Sequence, residues 1–222
     1  MRYLKLLDRL CRHLVAIGVR KSNPAGQLVR DGDRPKDEPD PIYLPEDTDA
    51  RPQAWVQPRA GDNLAALRNR AIVAIFLGTG VTALEGCTAH RDYLPPDAVP
   101  PYLRVPAHGA HDTRKVPLAS FAVPILAEWL VRRQTRSTSS DLVFSLRASG
   151  EPITDMSFGK IVRAALVAID FEGDSMSPRV LRNTYCRRRL LAGHDSDEVS
   201  RLLERASTRI CDRISATIGA QL

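Results

Sequence analysis

A strongly apolar segment is the feature that most constrains how this chain folds. Apolar residues recur at helical spacing from Leu67 to Leu77, and Gly61-Asp-Asn63 supplies an N-cap just before them. Gly78-Thr-Gly80 interrupts this helix, and a second short helix is predicted over residues 81–87. The sequence therefore predicts two consecutive helices at the start of a globular domain.

The residue pattern after these two helices is no longer helical. Short β-prone pieces separated by proline and glycine predict a small antiparallel sheet, and they lie at Tyr93-Leu94, residues 102–105 and residues 113–118. Further helices are predicted at residues 119–134, 154–169, 178–192, 196–205 and 207–218. The chain from about residue 60 to residue 222 is therefore predicted to be a mainly α domain of the α+β class.

The N-terminal part of the chain has a different organisation. Apolar residues recur at helical spacing over residues 3–18, which predicts one amphipathic helix. A stretch rich in proline and aspartate, from Asp31 to about Pro58, lacks this periodicity and predicts a linker. Because one helix cannot bury its own apolar face in water, we expect it to dock on the rest of the chain or on another subunit.

The charge balance bears on the kind of partner. The 222-residue chain carries 32 Lys and Arg against 26 Asp and Glu, a formal net charge of +6. Such a balance favours a polyanionic partner, because neutralising phosphates releases counterions from nucleic acid. No apolar run is long enough to span a bilayer, and the first residues lack the apolar core of a signal peptide. We therefore expect a cytoplasmic protein without a membrane partner.

The cysteines and histidines show no spacing typical of metal ligands. Cys11, Cys87, Cys186 and Cys211 are far apart in the sequence, and no Cys-x-x-Cys pair occurs. Structural thiols in a reducing compartment are predicted, and neither a metal nor a cofactor is expected.

Two motifs near the C-terminus resemble those of a known family. Residues 177–185 read Ser-Pro-Arg-Val-Leu-Arg-Asn-Thr-Tyr, and residues 202–214 begin Leu-Leu-Glu-Arg and end at Ile214. This pair of motifs resembles the catalytic domain of the tyrosine recombinases, the phage integrase family. That family reads His-x-Leu-Arg-His-Thr-Phe, then Leu-Leu-Gly-His, then a nucleophilic tyrosine. The steps from Arg179 to Arg182 and from Arg205 to Ile214 fit the family spacing.

The resemblance covers nearly the whole chain and implies its domain organisation. Residues 1–30 resemble the end of the family's core-binding domain, most of which is missing here, and residues 31–59 correspond to a linker. Residues 60–222 resemble the catalytic domain. The resemblance therefore implies a catalytic-domain-like helical fold with a small antiparallel sheet, preceded by a truncated core-binding helix and a linker.

The family mechanism determines which side chains such a site needs. A tyrosine hydroxyl attacks a DNA phosphodiester, while two arginines and histidine-type donors stabilise the charge on the phosphoryl oxygens and a hairpin lysine protonates the leaving hydroxyl. The mechanism requires no metal. In this chain Ile214 replaces the tyrosine, and Arg179 and Arg205 replace the two histidine-type donors.

The first half of the implied site departs from the family as well. Thr82 stands where the first arginine is expected, and residues 108–112 contain no lysine where the hairpin lysine is expected, although Lys115 is close by. Arg182 is the one catalytic position that keeps the family residue. The resemblance therefore implies a protein that has lost strand cleavage, because isoleucine has no nucleophilic atom. We expect Tyr185 to pack in the core and not to replace the missing nucleophile.

The remaining basic residues suggest phosphate binding without turnover. Arg179, Arg182 and Arg205 are expected to converge, and with Lys115 they are the candidate ligands of DNA phosphates. The alternative is that these arginines pair with acidic residues and only hold the helices together. The run at residues 187–189 spans most of a helical turn, so its members cannot all face one ligand. We expect a solvated helix face, with contact of one of them to a neighbouring phosphate as the alternative.

Two functions follow from the resemblance. The first is a catalytically inactive protein that binds double-stranded DNA and assists an active recombinase of a mobile element. The second is a protein-interaction scaffold, derived from a recombinase, that no longer binds DNA. For the first function, the segment after Ile214 is predicted to mediate assembly, either with an active recombinase or with a second copy of this chain.

Overall fold

The computed structural model describes residues 2–26, 40–95, 98–107, 112–134, 140–145, 150–203 and 208–219. Its internal contacts divide the chain into two compact units, Met1–Asp40 and Pro41–Leu222. Each unit is considered by itself below.

The main element in the described part of the first unit is the helix α1 (Arg2–Ala16), as the sequence predicts, and residues 24–26 are also helical. Gly18 follows it with a φ of +73°, a backbone conformation that glycine adopts without strain. The buried carboxylate of Asp8 accepts hydrogen bonds from Arg12 at 2.5 Å and from Asn23 at 2.7 Å. These contacts fix the turn after the helix against α1.

Eight helices and one β-hairpin are described in the second unit. The helices are α2 (Glu46–Trp55), α3 (Leu64–Thr79), α4 (Ala83–Cys87), α5 (Val123–Gln134), α6 (Asp155–Ala168), α7 (Pro178–Leu191), α8 (Ser196–Leu202) and α9 (Arg209–Gly219). No described helix is both long and apolar enough to cross a membrane.

Helix α3 lies at the centre of the second unit. The side chain of Asn63 accepts a hydrogen bond from the Ala66 N–H at 2.9 Å and so caps the start of the helix. Residues 71–79 are all buried, because α5, α6 and α7 pack against different sides of the helix. A helix that is apolar on all sides is stable only when it is surrounded in this way. Gly80, with a φ of +66°, ends it.

The hairpin pairs β1 (Tyr102–Val105) with β2 (Arg114–Pro117) in antiparallel register. Leu103 faces Val116 on the buried side, while Arg104 faces Lys115 on the exposed side. Side chains alternate between the two faces of a strand, so Arg114 lies on the buried side with Val116. The predicted strands at residues 102–105 and 113–118 are confirmed.

The third predicted β-prone piece, Tyr93-Leu94, is not a strand. Residues Arg91–Tyr93 form a 3₁₀ turn in which the N–H groups of Tyr93 and Leu94 donate to backbone carbonyls three residues earlier. The apolar run that starts at Leu142 pairs with residues just before this turn. There the Val143 N–H donates to the Ala89 carbonyl at 2.7 Å. The β-prone residues Tyr93 and Leu94 therefore come after the paired residues in the chain and do not form the pairing.

Helix α2 lies within the segment that was predicted as a linker, residues 31–59. Its first turn carries Glu46, Asp47 and Asp49, and such acidic side chains stabilise the N-terminal end of a helix dipole. The second compact unit accordingly begins at Pro41. Residues 31–39 of the predicted linker lie outside the described residues.

The arginine run on α7 contacts α2, and the prediction of a solvated helix face at residues 187–189 was wrong. Arg187 is buried and its guanidinium lies 3.2 Å from the Glu46 carboxylate. The Nε of Arg188 lies 2.7 Å from the Asp49 carboxylate, which is also buried. Burial raises the pKa of Asp49 and lowers the pKa of Arg188, against the effect of each on the other. Two ion pairs therefore hold α2 on α7.

Candidate functional site

Arg182 of α7 lies at the junction of two helix ends. Its guanidinium donates to the carbonyl oxygen of Gly80 at 2.6 Å and to the carbonyl oxygen of Leu203. Gly80 ends α3, and Leu203 ends α8. The side chain is 11% exposed and lies 3.9 Å from the Glu85 carboxylate. Its fork of N–H donors is therefore engaged by acceptors of this chain.

Glu85 of α4 closes a capping box with Thr82. The Thr82 N–H donates to the Glu85 carboxylate at 2.6 Å, and the Glu85 N–H donates to the Thr82 hydroxyl at 3.3 Å. Arg114 of β2 lies 2.6 Å from the same carboxylate. Burial alone would raise the pKa of Glu85, but the hydrogen bonds from Thr82 and Arg114 outweigh burial and lower that pKa. Glu85 is therefore an ionised structural partner.

Arg114 completes this group, which we call the acid–arginine cluster: Glu85, Arg114 and Arg182. The Nε of Arg114 donates to the Leu202 carbonyl at 2.9 Å. The cluster thus joins α4, β2 and α7 to the C-terminal end of α8. Its carboxylate is shared by two guanidinium groups, both of which also bind main-chain carbonyls.

Thr82 occupies the position where the family resemblance implies an arginine. It is exposed, and its hydroxyl serves as the N-cap of α4. A capping hydroxyl satisfies a backbone donor and supplies no positive charge. Thr82 therefore organises Glu85 and adds nothing to the binding of an anion.

The structure does not bring Lys115 together with Arg182. Lys115 lies on the exposed face of the hairpin, where its ammonium is 4.6 Å from the centre of the Tyr102 ring. The arginine on the opposite face, Arg114, is the hairpin side chain that joins the acid–arginine cluster. Lys115 instead faces Arg104, which is also exposed and lies 6.0 Å from the centre of the Tyr93 ring.

Of the other two candidate arginines, the structure describes Arg179 but not Arg205. Arg179 is exposed in the first turn of α7, three residues before Arg182 and so on the same side of the helix. Arg205 lies outside the described residues, which stop at Leu203 and resume at Thr208. The convergence of Arg179, Arg182 and Arg205 on one pocket stays a prediction.

Ile214 is fully buried on α9 and belongs to the hydrophobic core. Its backbone carbonyl accepts a hydrogen bond from the Thr217 hydroxyl at 2.6 Å, and that hydroxyl accepts one from Tyr43 at 2.7 Å. Residues before α2 are thereby tied to the C-terminal helix. The position that resembles the family's nucleophile therefore carries an aliphatic side chain packed inside the domain.

Tyr185 packs in the core, as predicted. Its side chain is 2% exposed, and its hydroxyl lies 3.4 Å from the Pro117 carbonyl. Burial raises the pKa of this phenol, which makes the phenolate form less accessible. Tyr185 is therefore a buried, neutral structural residue.

Sequence reasoning missed the partnership of Glu85 with Arg114. The signal for the capping box was present, since Thr82 and Glu85 have the spacing of a threonine followed three residues later by glutamate. Nothing local pointed to Arg114, which is 29 residues away. Among the described residues, no three His, Cys, Asp or Glu side chains are grouped closely enough to hold a metal ion.

The family model described as the phage integrase family matches residues 58–214. The chain belongs to the phage integrase family. The match ends at Ile214, the position described above on α9.

Curated members of the family are similar to this chain over most of its length. The tyrosine recombinase XerC of Neisseria meningitidis serogroup C (strain 053442) is 27% identical over 215 residues, a match that covers 93% of this chain and 64% of that protein. The XerC of Neisseria gonorrhoeae is 26% identical over 213 residues, with the same coverage. The chain thus spans about 64% of the length of these relatives.

Solved recombinase and integrase structures share the fold. The XerH recombinase in its post-cleavage complex with a palindromic difH substrate matches with a TM-score of 0.71 and 19% identity, covering 82% of this chain and 51% of that one. The XerA recombinase matches with a TM-score of 0.69 and 21% identity, covering 84% of this chain and 65% of that one. A lambda integrase dimer bound to a core site matches with a TM-score of 0.56 and 18% identity, covering 92% of this chain and 71% of that one. The predicted mainly α fold with a small antiparallel sheet is confirmed.

Proposed function

We propose that this chain is a DNA-binding member of the phage integrase family that does not cleave DNA and assists an active recombinase of a mobile element. The observation that carries the proposal is the buried isoleucine at the end of the family match. Ile214 has no nucleophilic atom and is packed in the core. Covalent catalysis by attack on a phosphodiester needs an activated oxygen at that place.

The hydroxyl groups of Ser215 and Tyr185 are not suited to replace the missing nucleophile. Ser215 follows Ile214 and is exposed, but a serine hydroxyl needs a general base to activate it. Tyr185 is buried with a raised pKa. The acid–arginine cluster contains Glu85, whose lowered pKa makes it a poor proton acceptor. These features support the loss of strand cleavage.

The exposed face of the hairpin supports DNA binding. Arg104 and Lys115 lie directly opposite each other on that face, and neither makes an ion pair within the described part of the chain. Like charges in directly opposed positions destabilise a strand pair, so a polyanion bound across them would remove a repulsion. Structures similar to this chain include the XerH recombinase bound to a difH substrate and a lambda integrase dimer bound to a core site.

The contacts of Arg182 change which residues we assign to phosphate. Its guanidinium already binds two main-chain carbonyls and lies beside Glu85. A phosphate would have to displace these acceptors, whereas Arg179 and Lys115 are exposed. We therefore assign phosphate contacts to Arg104, Lys115 and Arg179, and we assign Arg182 to holding the ends of α3 and α8 together.

A suicide DNA substrate tests the loss of cleavage. The substrate is a duplex nicked next to the cleavage point, so that attack by a nucleophile traps a covalent protein–DNA adduct. We expect no adduct on a denaturing gel for the wild-type chain or for Ile214→Tyr, because the other positions of the site are also changed. A XerC recombinase on its own substrate is the positive control.

The Ile214→Tyr variant needs a control for packing. Enlarging a fully buried side chain costs about 1–3 kcal/mol, and Ile214→Phe has nearly the volume of Ile214→Tyr without the hydroxyl. The two variants are compared by thermal melting before the DNA assay. An adduct formed by the wild-type chain would refute the proposal, and one formed by Ile214→Tyr but not by Ile214→Phe would show that only the nucleophile was lost.

The salt dependence of duplex binding tests the hairpin assignment. We expect the double variant Arg104→Ala/Lys115→Ala to reduce the slope of log affinity against log salt by about two units, since each phosphate contact contributes about 0.9. The matched control is Lys160→Ala/Arg163→Ala, which removes the same charge from exposed positions on α6. Equal reductions by both double variants would show that binding follows net charge and not the hairpin.

The second candidate function is a protein-interaction scaffold without DNA affinity. The internal bonding of Arg182 favours it, because the one retained family position is used to hold the fold. Binding of a labelled duplex that is undetectable even at low salt would support this function and reject the first. The partner in either case is an active recombinase or a second copy of this chain. The neighbouring genes bear on that choice, since an intact recombinase gene beside this one would favour the former.

A further inference from the structure

Two of the four cysteines meet in the core although the sequence separates them by 25 positions. The Sγ atoms of Cys186 and Cys211 lie 3.2 Å apart, and both side chains are fully buried. A disulfide bond is about 2.05 Å long, so the two sulfur atoms are only about 1.1 Å further apart than bonded ones. Cys186 lies on α7, and Cys211 lies in the first turn of α9. The pair therefore lies at the contact between these two helices.

The other cysteines have different surroundings. Cys87 on α4 is partly exposed, and burial together with the nearby Asp155 raises the pKa of its thiol. Cys11 belongs to the first compact unit. The structure thus selects one pair out of four thiols.

We propose that Cys186 and Cys211 are a modification site at which a peroxide forms a reversible disulfide between α7 and α9. In the first step the thiolate of one cysteine attacks hydrogen peroxide, which yields a sulfenic acid and hydroxide. In the second step the other sulfur attacks the sulfenic sulfur, the S–S bond forms, and the oxygen leaves as water. Two thiols and one peroxide thereby give one disulfide and two molecules of water.

The burial of the pair determines which oxidant fits. Neither thiol is open to a bulky disulfide such as oxidised glutathione, whereas hydrogen peroxide is hardly larger than water. Because both side chains are fully buried, hydrogen peroxide reaches them only when α9 opens locally. Cys211 is the third residue of α9.

The disulfide would fix the C-terminal helix to the domain. It closes a loop that contains α8, and a cross-link of this length restricts the unfolded chain. The contact of α9 with α7 then no longer depends on side-chain packing alone. Ile214, one turn after Cys211, is held in place by the same bond.

Peptide mapping of the full chain tests this proposal. The folded protein is treated with hydrogen peroxide, alkylated, and digested with trypsin without reduction. We expect residues 183–187 joined to residues 210–213, an intact mass lower by about two hydrogen atoms, and recovery of both thiols with dithiothreitol. The melting temperature is expected to rise by about 5–15 °C on oxidation and to return on reduction.

Matched variants separate this bond from general thiol oxidation. Cys186→Ala and Cys211→Ala should lose both the linked peptide and the rise in melting temperature, while Cys87→Ala should keep both. Thiols that remain unmodified, that are oxidised to sulfinic acid without a link, or that link through Cys87 or Cys11 would each overturn the proposal. Thermal melting of the reduced variants shows beforehand that each is folded.

Discussion

Replacing Arg182 with alanine is expected to lower the free energy of unfolding by about 3 kcal/mol or more. The change leaves the carbonyls of Gly80 and Leu203 without this donor and removes a positive charge beside Glu85. Each buried acceptor that loses its donor costs about 1–3 kcal/mol. Urea unfolding followed by circular dichroism measures the effect.

Arg179→Ala is the matched control, since it removes the same side chain from an exposed position one turn earlier on α7. We expect this change to alter the free energy of unfolding by no more than about 0.5 kcal/mol. If Arg182→Ala left stability unchanged and abolished DNA binding, the assignment of Arg182 to a structural role would be wrong. Measuring both variants for stability and for duplex binding separates the two roles.

Replacing Gly80 with alanine is expected to lower the free energy of unfolding by about 2–4 kcal/mol. Gly80 has a φ of +66°, which strains any residue that carries a Cβ atom. An added Cβ would also lie 2.7 Å from a carbon of Leu203 and 2.7 Å from a carbon of the Tyr185 ring. The strain and the clash act together, because this turn carries the carbonyl that Arg182 binds.

Gly193→Ala isolates the backbone contribution. Gly193 also has a positive φ, +90°, but an added Cβ there has no atom within 4 Å. We expect a loss of about 1–2 kcal/mol for this change, which represents strain alone. Urea unfolding of the two variants gives the difference, and equal losses would show that the contact with Leu203 and Tyr185 relaxes at no cost.

The acid–arginine cluster shows which contacts local sequence patterns predict and which they do not. The capping box of Thr82 and Glu85 spans three residues and is visible in the sequence, because both of its hydrogen bonds form within one helical turn. The ion pair of Glu85 with Arg114 joins residues 29 positions apart. No local pattern encodes that pairing, since it depends on how the hairpin packs on α4.

The arginines of α7 make the same point about burial. Consecutive arginines usually indicate a solvated face, and the sequence alone offered no reason to expect otherwise at Arg187 and Arg188. Their acidic partners on α2 are about 140 positions away, within a segment whose proline and aspartate content resembles that of a linker. Packing of α2 on α7 decided that these charges are buried and paired.

The apolar segment that begins after Asn63 shows what the sequence by itself determined. Its capping residue, its terminating glycine and its continuous apolar face are local features, so the helix and its ends were predictable. The proposal that Ile214 stands at the position of the family's tyrosine also comes from the sequence, because it depends on spacing within one motif. The tertiary structure alone decided that Arg182 binds internal carbonyls and that Cys186 meets Cys211. Those contacts join separate helix ends, and their formation depends on the packing of the whole domain.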